Sequence, residues 1–224
     1  MYGPSPTGFE LDVVTLLVMS ILLLLVTACG APEEAKPRFL PEDTRKLGPG
    51  TYRSEEFEPS FSFRVGKGWT SLPSETSDQL AITWGQTWVL RFFNPQELYK
   101  PTVRFAVVEA PKDMASWLRR HPHLRISTLE PATVGGVEGE RLDVVVGDLP
   151  EGYSGVCGTD CVDLFRTSDG SDVGLPKGIR VRVIVLEDVR GEMVIVGFGG
   201  PADQFDVQAA ETQKVIDSVE WRSK

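Results

Sequence analysis

Histidine and cysteine are scarce in this chain, with two His and three Cys among 224 residues, against 32 acids and 23 bases. A zinc centre of three or four ligands therefore has little to draw on. Neither HExxH nor G-x-S-x-G occurs, which removes the usual zinc-protease and serine-hydrolase signatures, and Ser154 in Gly152-Tyr153-Ser154-Gly155 does not meet the elbow spacing. The formal charge of −9 comes with no cluster of bases beyond Arg119-Arg120, so the cationic patch that nucleic acid requires is missing. No internal repeat is visible. No catalytic residue set and no cofactor site can be named from these residues.

Present instead is an apolar run from Val13 to Val26 whose only polar members are Thr15 and Ser20. A membrane span needs about 20 apolar residues, so this length suits the hydrophobic core of an export signal. The run closes in Leu25-Val26-Thr27-Ala28-Cys29-Gly30. Small residues at 27 and 28 let an extended backbone enter a peptidase groove, and Cys29 supplies the sulfur nucleophile that can accept lipid. The stretch resembles the lipobox of bacterial lipoproteins. That resemblance implies cleavage before Cys29, a covalent diacylglycerol on its thiol, and attachment to the outer face of the cytoplasmic membrane. Two acyl chains anchor lastingly where one is marginal. Upstream of Val13 the chain has Glu10 and Asp12 but no Lys or Arg, against the positive segment expected there; a start codon set too far upstream accounts for this. The alternative is an uncleaved single-span anchor in which Cys29 is incidental.

Residues 30–50, GAPEEAKPRFLPEDTRKLGPG, are rich in Pro, Gly and charge and lack apolar periodicity. They predict a flexible tether. The expected organisation is a signal peptide at 1–28, a lipidated N-terminus and tether at 29–50, and a single domain at 51–224. Within that domain, β-rich runs at 52–57, 61–65, 80–84, 87–93 and 103–109 predict strands. Residues 112–120 place Met114, Trp117 and Leu118 on one helical face, stopped by Pro122. Strand patterns return at 132–134 and 141–146 around Gly135-Gly136 and, after an irregular stretch from 148 to 178, at 179–189 and 193–198. Phe205, Ala209, Thr212, Ile216 and Val219 then mark one stripe of a helix at 203–219. A short strand at Glu220-Trp221 closes the chain. The fold class expected is α+β, a largely antiparallel sheet flanked by α-helices, including an amphipathic C-terminal one.

Three marks are shared with a known family: Phe61-Ser62-Phe63-Arg64-Val65 leading to Gly68-Trp69, Val134-Gly135-Gly136 followed by Gly139-Glu140-Arg141-Leu142-Asp143, and the closing helix from Phe205 to Val215-Ile216-Asp217-Ser218-Val219. Through them the domain resembles the PsbP-like superfamily and, within it, actinobacterial surface lipoproteins of the LpqN type. The resemblance implies an accessory or binding role in place of catalysis and transfers no catalytic residue; the absence of a catalytic motif favours a domain that works through a protein partner or a small apolar ligand.

Several constellations invite a chemical reading. Cys157-Gly158-Thr159-Asp160-Cys161 can close a local disulfide, because export is oxidising and lipidation of Cys29 leaves these two as a pair. Asp160, Asp163, Asp169 and Asp172 crowd the same region, where a calcium loop competes with ordinary solvated turns. His121 and His123 flank Pro122 as helix-ending surface residues or as two metal ligands without a third. Gly197-Phe198-Gly199-Gly200-Pro201-Ala202 fits G-x-G-x-x-A, but hairpins before it argue against a dinucleotide fold and for glycines that release a strand into a helix turn. Trp69, Trp84, Trp88, Trp117 and Trp221 read as core or as a stacking surface. Glu140 and Asp143 are the acids an enzyme built on dispersed carboxylates would use.

Overall fold

Valine and isoleucine crowd the two late strands, and successive strand residues point to opposite faces. A strand apolar at nearly every position must be covered on both sides. The computed structural model, which describes residues 36–222 apart from 74, 86, 102 and 104, has this arrangement at its centre. Export segment and Cys29 lie outside the described residues.

The first half of the domain contains β1 (Arg38–Phe39), β2 (Gly50–Arg53), β3 (Phe61–Val65), β4 (Trp69–Ser71), β5 (Gln79–Trp84), β6 (Trp88–Phe93), β7 (Glu97–Tyr99) and β8 (Val107–Glu109). Helix α1 (Met114–Arg120) leads into β9 (Leu124–Val134), β10 (Val137–Val146), β11 (Ser154–Gly155), β12 (Gly158–Thr159), β13 (Cys161–Arg166) and β14 (Asp172–Pro176). The chain ends with β15 (Ile179–Val189), β16 (Glu192–Pro201), α2 (Phe205–Ile216) and β17 (Glu220–Trp221).

Seven strands make the main sheet in the order β4-β5-β6-β16-β15-β10-β9, antiparallel at every pairing. Two smaller sheets, β1-β2-β3-β17 and β14-β13-β7-β8, and the ribbon β11-β12 complete the set. Alternation along β16 sorts its side chains between two cores. Val194, Val196 and Phe198 join an apolar cluster with Phe61 and Phe63 of β3 and Phe205 of α2. Ile195 joins a second cluster with Met114 and Leu118 of α1 and Val162 of β13. Strand β15 divides in the same way, Ile184 and Leu186 to the first cluster, Val183 and Val185 to the second.

Both helices follow the spacing that predicts them, with shorter bounds. The Asp113 carboxylate accepts the Ser116 backbone N–H at 2.9 Å, so Asp113 is the N-cap of α1 and the helix begins one residue after it. Helix α2 is preceded by a 3-10 turn at Ala202–Gln204 and buries Phe205, Ala209, Thr212 and Ile216. Trp88 locks this helix to the main sheet. Its indole N–H donates to Thr212 Oγ1 at 2.6 Å inside the core, and its ring lies 5.3 Å from that of Phe205.

Four expectations need correction. Helices flank the sheet less than predicted: the fold is mostly antiparallel β with two α-helices among the described residues, and much of the second face is covered by the sheet containing β13. The ordered domain also starts before Thr51. Strand β1 pairs parallel with β2, Leu40 and Leu47 are buried, and the Arg53 guanidinium stacks 3.7 Å from the Phe39 ring centre. Isolated leucines between prolines leave no periodicity to read. Strand β9 begins at Leu124, eight residues earlier than expected, because it is an edge strand with mostly exposed side chains that tolerates Pro131. Finally, the stretch from 148 to 178 is ordered as β11 to β14.

Replacing Thr212 by valine keeps shape but leaves the Trp88 N–H buried without a partner. Urea denaturation is expected to show a loss of about 1–3 kcal/mol; a change below about 0.5 kcal/mol would show that this bond does not hold α2 in place.

Candidate functional site

Between the second face of the main sheet and the β13–β14 hairpin lies a cavity of about 390 Å³. Its floor includes Val89, Val181, Val183 and Ile195, and its roof Phe165, Val173 and Leu175, with Leu118 of α1 at one side. Volume and lining fall in the range of small-molecule sites. One missing side chain contributes to the space. Gly197 is buried in the middle of β16, yet a Cβ placed on it would meet no heavy atom within 4 Å. Other glycines of the sheet are there for the opposite reason. A Cβ at Gly199 would run into the Arg180 carbonyl, and one at Gly139 into the Val185 carbonyl.

Arg91 of β6 lines the same cavity. In register it lies between Ala81 of β5 and Gly197 of β16, two residues too small to crowd it. Its guanidinium stands 5.9 Å from the Phe93 ring centre, and among the described residues it has no hydrogen bond and no ion pair. Burial pulls its pKa below the ordinary value, although an arginine keeps its charge in any case. Arg180 and Arg182, two strands away, differ in this respect. Asp143, almost fully buried, accepts from Arg182 Nε and Arg180 Nη2, each at 2.6 Å. Burial by itself would raise the Asp143 pKa, but the bonds from Arg182 and Arg180 outweigh it and hold the carboxyl below its usual range.

Cys157 and Cys161 stand at disulfide distance, their Cα atoms 5.7 Å apart, and Cys157 lines the cavity. The sulfurs rest against Gly174 of β14, where a Cβ would lie 2.6 Å from Cys161 Sγ and 3.0 Å from Cys157 Sγ. The pair therefore fixes the ribbon to the roof more than it restrains the chain, since so short a loop contributes only about 2 kcal/mol. The aspartates of this region are dispersed. Asp163 is buried and accepts the Val156 N–H, Asp169 caps a turn through Thr167 and Ser171, and Asp172 at the cavity accepts from Tyr99 and from Arg166. Burial first, and then the bond to Asp172, pushes the Tyr99 hydroxyl up to about 12. Among the described residues no group of three or more His, Cys, Asp or Glu is placed to hold a metal.

Other predicted positions fall elsewhere. His121 is not a surface residue: it is 4% exposed, its ring 5.1 Å from Trp117 and 5.9 Å from His123, and its Nε2 has no partner among the described residues. Burial first, and the charge of His123 second, pull its pKa down to about 4. Glu140 and Asp143 do not converge, because residues three apart on β10 face opposite sides. Trp69 and Trp88 are core, while Trp84 and Trp221 pack at the edge of the first cluster and Trp117 at the edge of the second. The glycine motif lies inside an antiparallel strand that runs on to Pro201, so neither a dinucleotide turn nor a strand release is formed there. Sequence reasoning missed Arg91 and the role of Gly197. A lone arginine in Trp88-Val89-Leu90-Arg91-Phe92-Phe93 was the available signal, but its neighbours become visible only with the register.

No protein-family model matches the chain, and no curated protein does. Solved structures that resemble it include cyanobacterial PsbP (CyanoP) of Synechocystis, 12% identical over 77% of this chain and 92% of that one, with a TM-score of 0.39. LpqN of Mycobacterium tuberculosis, described as involved in cell envelope biogenesis, is 10% identical over 80% and 90%, with a TM-score of 0.34. The Ran-binding protein Mog1p of Saccharomyces cerevisiae is 8% identical over 78% and 96%, with a TM-score of 0.39. Likenesses at this level carry no assignment.

The buried His121 makes stability depend on pH in one direction. Unfolded, it titrates near 6.5; folded, near 4. Between those values the unfolded chain binds a proton that the native chain refuses, so this group lowers stability as pH falls from about 6.5 towards 4 and has no effect above. Urea midpoints at pH 7.5 and pH 5 should diverge less in His121→Phe than in the wild type; equal divergence would place the acid sensitivity elsewhere.

Proposed function

We propose that this chain is a lipid-tethered, extracytoplasmic binding domain that holds a small apolar ligand in the cavity above Gly197. The observation that carries the reading is a glycine at a central, fully covered strand position with open space where its side chain would be. Glycine inside a strand costs about 0.5–1 kcal/mol relative to alanine, and an unfilled apolar void costs more. A site that keeps both costs is one where stability yields to binding. The apolar floor and roof match an apolar occupant, and the cysteine pair would keep the roof in place over it. Asp143, the buried acid nearest to a catalytic candidate, is neutralised by two arginines, which favours binding over acid–base chemistry. The tether rests on the export signal and Cys29, and it would keep the domain beside the membrane from which apolar molecules partition.

Two measurements test this. Mass spectrometry of the mature protein should find Cys29 as its acylated first residue; a mature chain beginning at Met1 would contradict the tether. Dodecan-1-ol, a neutral apolar probe, should bind the wild-type protein and fail to bind Gly197→Leu, whose side chain fills the floor. The variant should melt no lower than the wild type, because a Cβ at this position meets no heavy atom within 4 Å and opens onto the cavity. Equal binding to both proteins would remove the cavity as the site.

A further inference from the structure

We propose that the ligand is an amphipathic anion, a single aliphatic chain of about a dozen carbons seated above Gly197 with a carboxylate or phosphate head held by Arg91. This inference rests on the binding reading above and names the class of molecule bound. Chain length is scaled to volume: about 390 Å³ corresponds to about a dozen water-sized groups, at the ~30 Å³ that water takes up in the liquid. The head group follows from charge. Arg91 lines the cavity without a carboxylate partner among the described residues, whereas Asp143 engages Arg180 and Arg182, and Asp172 engages Arg166. A half-buried cation with five donors, none of them held by a carboxylate among the described residues and all within reach of water, is available to an incoming anion.

Placement supports the same conclusion. Arg91 and Gly197 are register partners on adjacent strands, so the guanidinium and the open floor are neighbours on one face of the sheet. Ala81 on the other side leaves the arginine room to move. Being partly exposed, Arg91 stands between the apolar interior and water, where the polar end of an amphipathic molecule belongs. Its planar fork suits both carboxylate and phosphate, which offer paired oxygens. The acid at the cavity, Asp172, is already bonded to Tyr99 and Arg166, so its charge is offset and does not oppose an anion at Arg91.

Titration calorimetry of the purified mature protein with dodecanoate, dodecyl phosphate and dodecan-1-ol tests the assignment, using the wild type, Arg91→Gln and Gly197→Leu. Wild-type protein should bind at least one of the anions ten-fold or more tighter than the alcohol, the size expected for a charged hydrogen bond. Arg91→Gln should lose that preference while keeping its affinity for the alcohol, and Gly197→Leu should bind none of the three. The relative affinities of dodecanoate and dodecyl phosphate tell a fatty-acid source from a phosphate-bearing one. Alcohol and anions binding alike, with no effect of Arg91→Gln, would overturn the anion and leave the apolar cavity standing. No binding of any probe to the wild type would overturn both. Melting curves of the two variants check that each is folded, and Arg91→Lys, which keeps the charge but not the fork, should retain part of the preference.

Discussion

Covering the strand Glu192–Pro201 on both faces is the constraint from which the rest follows. One set of its side chains commits the chain to a core with α2 and the small sheet around Phe61 and Phe63; the other commits it to a second core with α1 and the β13–β14 hairpin. Close packing is the rule in such interiors. The first face obeys it, with Trp88, Phe198 and Phe205 in mutual contact and the indole N–H satisfied by Thr212. The second face departs from it at Gly197. Structure and function therefore divide between the two faces of one strand, with rigidity on one and space on the other.

Charge divides in the same way. Arg180 and Arg182 brace the first face by closing on Asp143 and stacking over Phe205, at 4.2 and 5.3 Å from its ring centre. Buried pairs of this kind are costly to break, since removal of either partner strands the other. Arg91 has no such partner and faces the void. An arginine at an apolar cavity is informative because no carboxylate among the described residues pairs with it, which leaves its planar fork for an anion. The cysteine pair against Gly174 adds the third part of the device, a roof fastened to the β11–β12 ribbon beside it.

Much of the scaffold could be read from residues alone. The alternation in Phe61–Val65, the β-branched run of Ile179–Val189 and the stripe of α2 each announce their element, because burial on one side or both leaves a period in the sequence. The cysteine spacing likewise predicts a pair that the fold brings together. What escaped reading has physical causes. Leu40 and Leu47 are anchors set singly among prolines, and β9 is an exposed edge without a buried period. His121 looks like a surface histidine until the aromatic rings of Trp117 and His123 close over it. The cavity was the least legible feature of all, since it consists of a missing side chain and an unpaired charge on strands that only the register makes adjacent.

The most direct examination is NMR of the mature protein titrated with dodecanoate, resolved at the methyl groups and at the arginine Nε–H groups. Saturable shifts are expected at Val89, Val181, Val183 and Ile195 on the cavity floor and at the Arg91 side chain, with Val194, Val196 and Ile216 on the opposite face unmoved. Shifts confined to that opposite face, or to exposed Val207 and Leu129, would contradict binding in the cavity.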